Sequence, residues 1–211
     1  MHTSIPIEQI LSEAEARRRT LGRPLVTLSY AQSLDGSIAA RRGALLFISG
    51  PESLQMTHAL RAAHDAILVG IGTVLADDPQ LSVRLVDGEN PQPIVVDTRL
   101  RIPKHAKLLH GKKPPWIATS GAVDQETIAG LEKAGAQLLY FETGDDGRVP
   151  FRSLLEALGR KGISRLMVEG GAGVITTVLG GQLADLVVLT IAPSFVGGLR
   201  ALEPKGLSFV P

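Results

Sequence analysis

Short apolar runs alternate along this chain with segments whose apolar residues recur every three or four positions. The runs predict strands at Leu25–Tyr30, Ala66–Val69, Pro93–Thr98, Trp116–Thr119, Leu138–Phe141, Arg165–Val168 and Leu186–Ala192. The segments between them predict helices. Pro51–His64 carries Leu54, Met56, Leu60 and Ala63 in helical spacing, and Thr127–Ala134, Phe151–Arg160 and Gly173–Leu183 follow. Gly135 and Gly162 stop two of these helices, and Gly180 and Gly181 lie near the end of the last. At the N-terminus, residues 6–20 predict one charged amphipathic helix. Ile7, Ile10, Leu11 and Ala14 share a face, and Glu8, Glu13, Glu15 and Arg17–Arg19 cover the rest. Gly22 and Pro24 break it. Residues 1–22 therefore read as a helical extension, packed on the domain or on a partner subunit, and 23–211 as one domain. Strands alternating with helices of about ten residues imply right-handed crossovers. The fold class is α/β, with a mainly parallel central sheet and helices on both faces.

Composition narrows the function classes. The formal charge is +1, from 22 Lys+Arg against 21 Asp+Glu, with no basic stripe or acidic tail. Neither nucleic acid nor a membrane surface is an expected partner. Cysteine is absent, which removes disulfides, thiolate nucleophiles and Cys-ligated zinc and fits a reducing cytoplasm. No apolar run reaches the roughly 18 residues of a membrane span, and the first residues lack the pattern of a signal peptide. The five histidines have no metal-ligand spacing, so no metal is expected. No G-x-S-x-G elbow or Walker A sequence occurs, and hydrolase and NTPase readings are weak.

Two stretches hold the candidate chemistry. Asp65-Ala-Ile-Leu-Val-Gly-Ile-Gly-Thr73 runs on to Asp77-Asp78-Pro79, and Leu166-Met-Val-Glu169-Gly170-Gly171 runs on to Ala172-Gly173. Each is an apolar run ending in glycines and polar residues, as where a parallel strand presents backbone N–H groups to a ligand. The second is either a phosphate cradle at a helix N-terminus or a tight turn. Glu169 is either a ligand-facing carboxylate or an exposed loop residue. Arg61 and Arg84 are either a bidentate phosphate grip or solvated surface groups. The pair of sites points to a pocket for a phosphorylated small molecule.

In order, these pieces resemble the reductase domain of riboflavin-biosynthesis pyrimidine reductases, the RibD C-terminal domain family, which is similar in fold to dihydrofolate reductase. Arg23-Pro-Leu-Val-Thr-Leu, Ser33-Leu-Asp-Gly36, Ile48-Ser-Gly-Pro-Glu, Leu60-Arg61-Ala, Asp65–Pro79, Leu81-Ser-Val-Arg84, Pro93–Asp97, Val168–Gly171 and Ile191-Ala-Pro carry the resemblance, from about residue 23 to residue 198. It implies a dihydrofolate-reductase-like three-layer fold. It also implies NADPH-dependent reduction of the ribosyl group of a 5-phosphoribosylaminopyrimidine to a ribitylamino phosphate. By motif, Thr73, Asp77 and the segment Gly171, Ala172, Gly173, Val174, Ile175, Thr176 and Thr177 would touch NADPH. Ala31, Phe47 and Thr98 fall at further cofactor positions. Arg61, Leu81, Arg84 and Glu169 would hold the substrate, with the arginines near its 5′-phosphate and Glu169 as the catalytic candidate.

Some positions depart from the family. Ser29 stands where Lys is frequent, and Ala44-Leu45 where Asp-Ser is usual. Both changes remove polar groups from the substrate side, so a reductase of a pterin or another imine or carbonyl is an alternative. A non-catalytic nucleotide-binding protein is another. The family's further hairpin past the last strand is absent from the sequence, which stops at Pro211. Many members also carry a zinc deaminase domain, for which this sequence has neither room nor cysteines. A homodimer is expected, with the Leu186–Ala192 strand as the meeting edge.

Overall fold

The structure is a computed structural model that describes residues 7–44, 48–120 and 123–202. In chain order the elements are α1 (Ile7–Ser12), α2 (Ala14–Leu21), β1 (Leu25–Ser33), β2 (Ser37–Ala39), α3 (Pro51–Ala62), β3 (Ala66–Gly70), α4 (Ile71–Asp77), β4 (Gln92–Val96), a 3-10 turn (Lys107–His110), β5 (Trp116–Thr119), α5 (Gln125–Lys133), β6 (Gln137–Tyr140), α6 (Phe151–Arg160), β7 (Arg165–Gly170), α7 (Ala172–Gly180), β8 (Leu186–Ala192) and β9 (Leu199–Arg200). Seven strands form one sheet in the order β6-β5-β4-β3-β7-β1-β8, and every pairing within it is parallel. β2 and β9 make a small antiparallel ribbon.

The sheet is covered on both faces, and strand pleating assigns its residues. On one face Val26, Leu28, Leu68, Ile94 and Val168 pack against Leu154, Leu155 and Leu158 of α6 and Ile175 and Val178 of α7. On the other, Ile67, Val69, Val95 and Ile117 pack against Val74 of α4, Leu108 of the 3-10 turn and Ile128 and Leu131 of α5. The central strands are therefore continuous apolar runs, as a doubly covered parallel sheet requires.

Four local outcomes differ from the sequence expectation. The N-terminal helix is two short helices parted at Glu13. Ala14 of α2 is buried with Leu11 and Leu25, and Glu15 accepts hydrogen bonds from Arg18, Arg19 and Ser164, so tertiary contacts set its course. β1 runs on to Ser33 because β8 pairs with it from Thr27 to Ser33. The segment after β3 is helical, although Gly72 weakens that propensity, because Ile71 and Val74 bury one above the other. The predicted Gly173–Leu183 helix starts at Ala172 and stops at Gly180.

Ser33-Leu-Asp-Gly36 is more than a turn. Asp35 accepts hydrogen bonds from the Ser33 and Ser37 hydroxyls at 2.6 and 2.7 Å and from the Val196 and Gly197 amides at 3.0 and 2.9 Å. These donors hold its carboxyl far below the usual carboxylate range. The motif thereby ties the exit of β1 to the segment after β8.

Candidate active site

In a parallel sheet all strands end on the same edge, and ligands lie there. Here the ends of β1, β3, β7 and β4 open into one cavity of about 600 Å³. Its floor is Tyr30 and Ala31 from β1, Glu169 from β7, Gly70 from β3 and Val96 with Thr98 from β4. The residues following β2, α4, the first turns of α7 and the segment 146–151 supply its walls.

The turn from β7 to α7 is made of backbone. Gly170 and Gly171 have φ +123° and +56°, conformations that disfavour any residue with a Cβ. A Cβ on Gly171 would also lie 3.1 Å from the Thr73 hydroxyl. Gly171 caps α7; its carbonyl accepts the Val174 and Ile175 amides, and the Ala172 and Gly173 N–H groups ahead of them meet an approaching anion with the positive end of the helix dipole. The same closeness explains Gly70, where a Cβ would lie 3.0 Å from Val174. The two loops are packed to the limit, so a ligand meets a pre-shaped surface.

The other half is built from side chains. Pairing of β3 with β7 slips after Val168: Leu68 aligns with Val168, but Val69 aligns with Gly170. Glu169 is thus the extra residue of a bulge, a device that re-aims a side chain. Arg61, in the last turn of α3, meets it side-on, with Nε donating to one carboxylate oxygen at 2.6 Å and Nη2 to the other at 2.7 Å. Both side chains are largely buried, 12% and 15% exposed, so the pair is only weakly screened by water. Nη1 of Arg61 donates to the Ser82 carbonyl at 3.1 Å. Nearby, the Arg84 amide donates to Nδ1 of buried His58 at 3.0 Å. Burial, with Arg61 and Arg84 adding to it, pushes the His58 pKa down, so the ring is neutral at pH 7.

The cofactor candidates gather as a group. Ala31, Thr73, Asp77, Thr98, Gly171, Ala172, Gly173, Val174, Ile175 and Thr177 all line the cavity. Thr176 does not, because it faces the interior from α7. Phe47 and Leu45 lie outside the described residues, and Ala44 lines the cavity rim. Desolvation pushes the Asp77 carboxyl up.

Of the substrate candidates, Glu169 lines the cavity and Arg61 reaches it through Glu169. Leu81 is 2% exposed, and its side chain packs in the core beside Val74 and Leu108, so only its backbone, at φ +50°, is open to a ligand. Arg84 is exposed, donates to Ser82 Oγ at 2.7 Å, and lines a second hollow of about 540 Å³ with His105, Lys107 and Lys113. Sequence reasoning missed Arg101 and Arg148 in the first cavity. Neither sits in a motif, and no spacing signal marks them.

Comparison with known proteins gives this arrangement its kinship. The RibD C-terminal domain family model matches residues 24–208. The chain belongs to that family. It is similar to the 2,5-diamino-6-ribosylamino-4(3H)-pyrimidinone 5′-phosphate reductase of Methanothermobacter thermautotrophicus, 45% identical over 85% of this chain and 82% of that protein. The enzyme of the same name from Archaeoglobus fulgidus is 40% identical over 83% of each. Among solved structures, the deaminase/5-amino-6-(5-phosphoribosylamino)uracil reductase of Thermotoga maritima superposes with a TM-score of 0.76 at 29% identity, covering 94% of this chain. The chain spans about half, 53%, of that bifunctional protein. The Saccharomyces cerevisiae riboflavin biosynthesis reductase gives 0.66 at 32% identity, over 90% of this chain and 80% of that one. The fold is that of the RibD reductase domains, as expected. No helix among the described residues is long and apolar enough to cross a membrane.

Proposed function

We propose that this protein reduces the ribosyl group of a 5-phosphoribosylaminopyrimidine to the ribitylamino phosphate, with NADPH as reductant. The observation that carries the reading is the continuity of one cavity. It joins the glycine turn at Gly171 to the carboxylate of Glu169, so a dinucleotide cofactor and a small substrate would meet above β7. The residues fit the cofactor. The turn has the positive φ angles and close packing of a diphosphate cradle, and the cavity is long enough to span four strand ends. Relatives more than 80% covered by this chain bear the name of that reductase.

NADPH, when bound, supplies the hydride. The chain then has to bind and orient. The first turn of α7 would hold the diphosphate, and Ala31, on the cavity floor, would lie beside the nicotinamide. Glu169, held by Arg61, keeps lone pairs free to accept N–H or O–H groups of the substrate, and so sets its C1′ against the cofactor. The bound cofactor would supply hydride to C1′ of the ring-opened imine, with the C=N π electrons passing to nitrogen, which takes up a proton. Arg84 would serve the phosphate end from the second hollow, which its exposed guanidinium shares with Lys107 and Lys113. A second reading, reduction of another imine or carbonyl, draws on Ser29, a buried neutral residue on β1, and on Ala44 at the rim.

The protein works as a cytoplasmic homodimer in this reading. β8 is the sheet's last strand, and Val187, Leu189 and Ile191 stand 40–54% exposed along one side of it. An apolar strand edge of this kind needs a cover. The test of function is incubation of the protein with NADPH and the phosphoribosylaminopyrimidine, followed by product mass. A gain of two hydrogens with matching NADPH loss is expected. An unchanged substrate mass contradicts the proposal.

A further inference from the structure

Helix α3 serves both hollows through one short stretch of chain. Residues 80–84 form neither helix nor strand, so their backbone groups need partners from elsewhere. Three consecutive residues find them in side chains. The Ser82 carbonyl accepts from Nη1 of Arg61 at 3.1 Å, the Val83 amide donates to Oδ1 of Asn90 at 2.7 Å, and the Arg84 amide donates to Nδ1 of His58 at 3.0 Å. Arg61 and His58 both belong to α3 and, at i and i+3, share one of its faces. That face holds Glu169 in the first cavity, through Arg61, and the Arg84 main chain at the second.

His58 is the less obvious of the two. It is 4% exposed and lines neither the first cavity nor the second hollow, so it stands behind the site rather than in it. Its partner nevertheless fixes its chemistry. A backbone amide can only donate, so Nδ1 carries a lone pair and the ring is the neutral Nε2–H tautomer. Burial, Arg61 and Arg84 favour the uncharged ring, and Glu169 opposes them. Beyond the anchored amide, the Arg84 guanidinium folds back on its own segment. Its Nη1 donates to Ser82 Oγ at 2.7 Å and to Gln80 Oε1 at 3.3 Å. Segment and guanidinium are therefore one unit, and an anchor on the backbone sets where the cation stands. A guanidinium held in advance loses little freedom on gripping a phosphate.

We infer that His58 is a positioning residue: by accepting the Arg84 amide it fixes the Arg84 guanidinium relative to Glu169, and so sets affinity for a substrate phosphate that it never touches. The inference rests on the substrate reading above and deepens it.

The test combines kinetics and NMR on the full chain. His58→Leu removes the acceptor and fills the space, whereas His58→Asn keeps an acceptor oxygen bonded to Cγ, where Nδ1 stands. Both are compared with wild type, Arg84→Met and His58→Leu/Arg84→Met, on the phosphoribosylaminopyrimidine and on its dephosphorylated form. Leaving the Arg84 amide unpaired should raise KM for the phosphorylated substrate about tenfold. The turnover number, NADPH affinity and KM for the dephosphorylated substrate should hardly change. His58→Asn should recover most of the loss, and His58→Leu should add little on the Arg84→Met background. Nitrogen-15 NMR of the wild type should show Nδ1 of His58 unprotonated at neutral pH, a readout that needs no variant to fold. An unchanged KM in folded His58→Leu, equal losses for both substrates, no recovery in His58→Asn, or a proton on Nδ1 overturns the inference and leaves the substrate reading standing. A KM unchanged in Arg84→Met overturns both.

Discussion

The two halves of the cavity are made of different material. The cofactor half is mostly main chain: a turn shaped by Gly170 and Gly171 and the first N–H groups of α7. The substrate half is side chain: a bidentate Arg61–Glu169 pair, steadied by the Ser82 carbonyl. A diphosphate is the same in every cofactor, and a fixed backbone suits it. A substrate differs between enzymes, and side chains can be exchanged without rebuilding the strands. Of the departures from the family, Ser29 is buried on β1 and Ala44 lines the cavity. On this view the two halves should fail separately.

The largest effect is expected from Arg61→Ala. It leaves Glu169 without its cation in a largely buried site. Breaking such a pair costs about 3 kcal/mol, and a loss of that size expressed in turnover is roughly a hundredfold in kcat/KM. NADPH affinity should change less than threefold. Parallel steady-state kinetics and NADPH titration make the check, and a large loss of NADPH affinity would merge the two halves. The double variant Arg61→Ala/Glu169→Gln should be no worse than Arg61→Ala alone if the pair acts as a unit.

Gly171→Ala should do the reverse. A side chain at φ +56° with its Cβ 3.1 Å from the Thr73 hydroxyl is strained by about 1–3 kcal/mol. Weaker NADPH binding by about tenfold or more is expected, with little change in substrate affinity measured without cofactor. Recovery in Gly171→Ala/Thr73→Ser would not be expected, because the hydroxyl remains; recovery there would mean that the strain lies elsewhere.

How much of this was legible in the sequence follows the same division. The glycine turn is a local signal, written in consecutive residues, but by itself it fits a phosphate cradle or a tight turn equally; only the family resemblance put Thr73 and Gly171–Thr177 on the cofactor side. Arg61 and Glu169 are 108 positions apart, and their pairing depends on a bulge that no residue type announces. The sequence therefore left each as either a surface group or a ligand contact. The order of the strands, which brings the ends of β4 and β7 to one cavity, is likewise a property of pairing rather than of any one segment. Helix α4 escaped because Gly72 hides its burial pattern, and Leu81 looked like a ligand contact although its side chain is core.

A smaller effect concerns the scaffold beneath the substrate half. His64 is buried, with Nδ1 2.6 Å from the Leu60 carbonyl and Nε2 2.8 Å from the Thr27 hydroxyl. Burial pushes its pKa down. The unfolded chain then binds a proton that the folded one refuses, so stability falls as pH drops below the unfolded value of about 6.5. Thermal melts from pH 7.5 to 5 should show this decline, and His64→Asn should flatten it. A decline unchanged in the variant would place the titrating group elsewhere.

The central claim is that a nicotinamide beside Ala31, with its diphosphate at the glycine turn, would deliver hydride to a sugar carbon held at Glu169. The direct measurement uses NADPH deuterated at the nicotinamide C4 on the transferred face, with the phosphoribosylaminopyrimidine as acceptor, and locates the label by NMR of the product. The account predicts one deuterium at C1′ of the ribityl chain. Deuterium at any other carbon, or a reduced product carrying only solvent hydrogen at C1′, would contradict it.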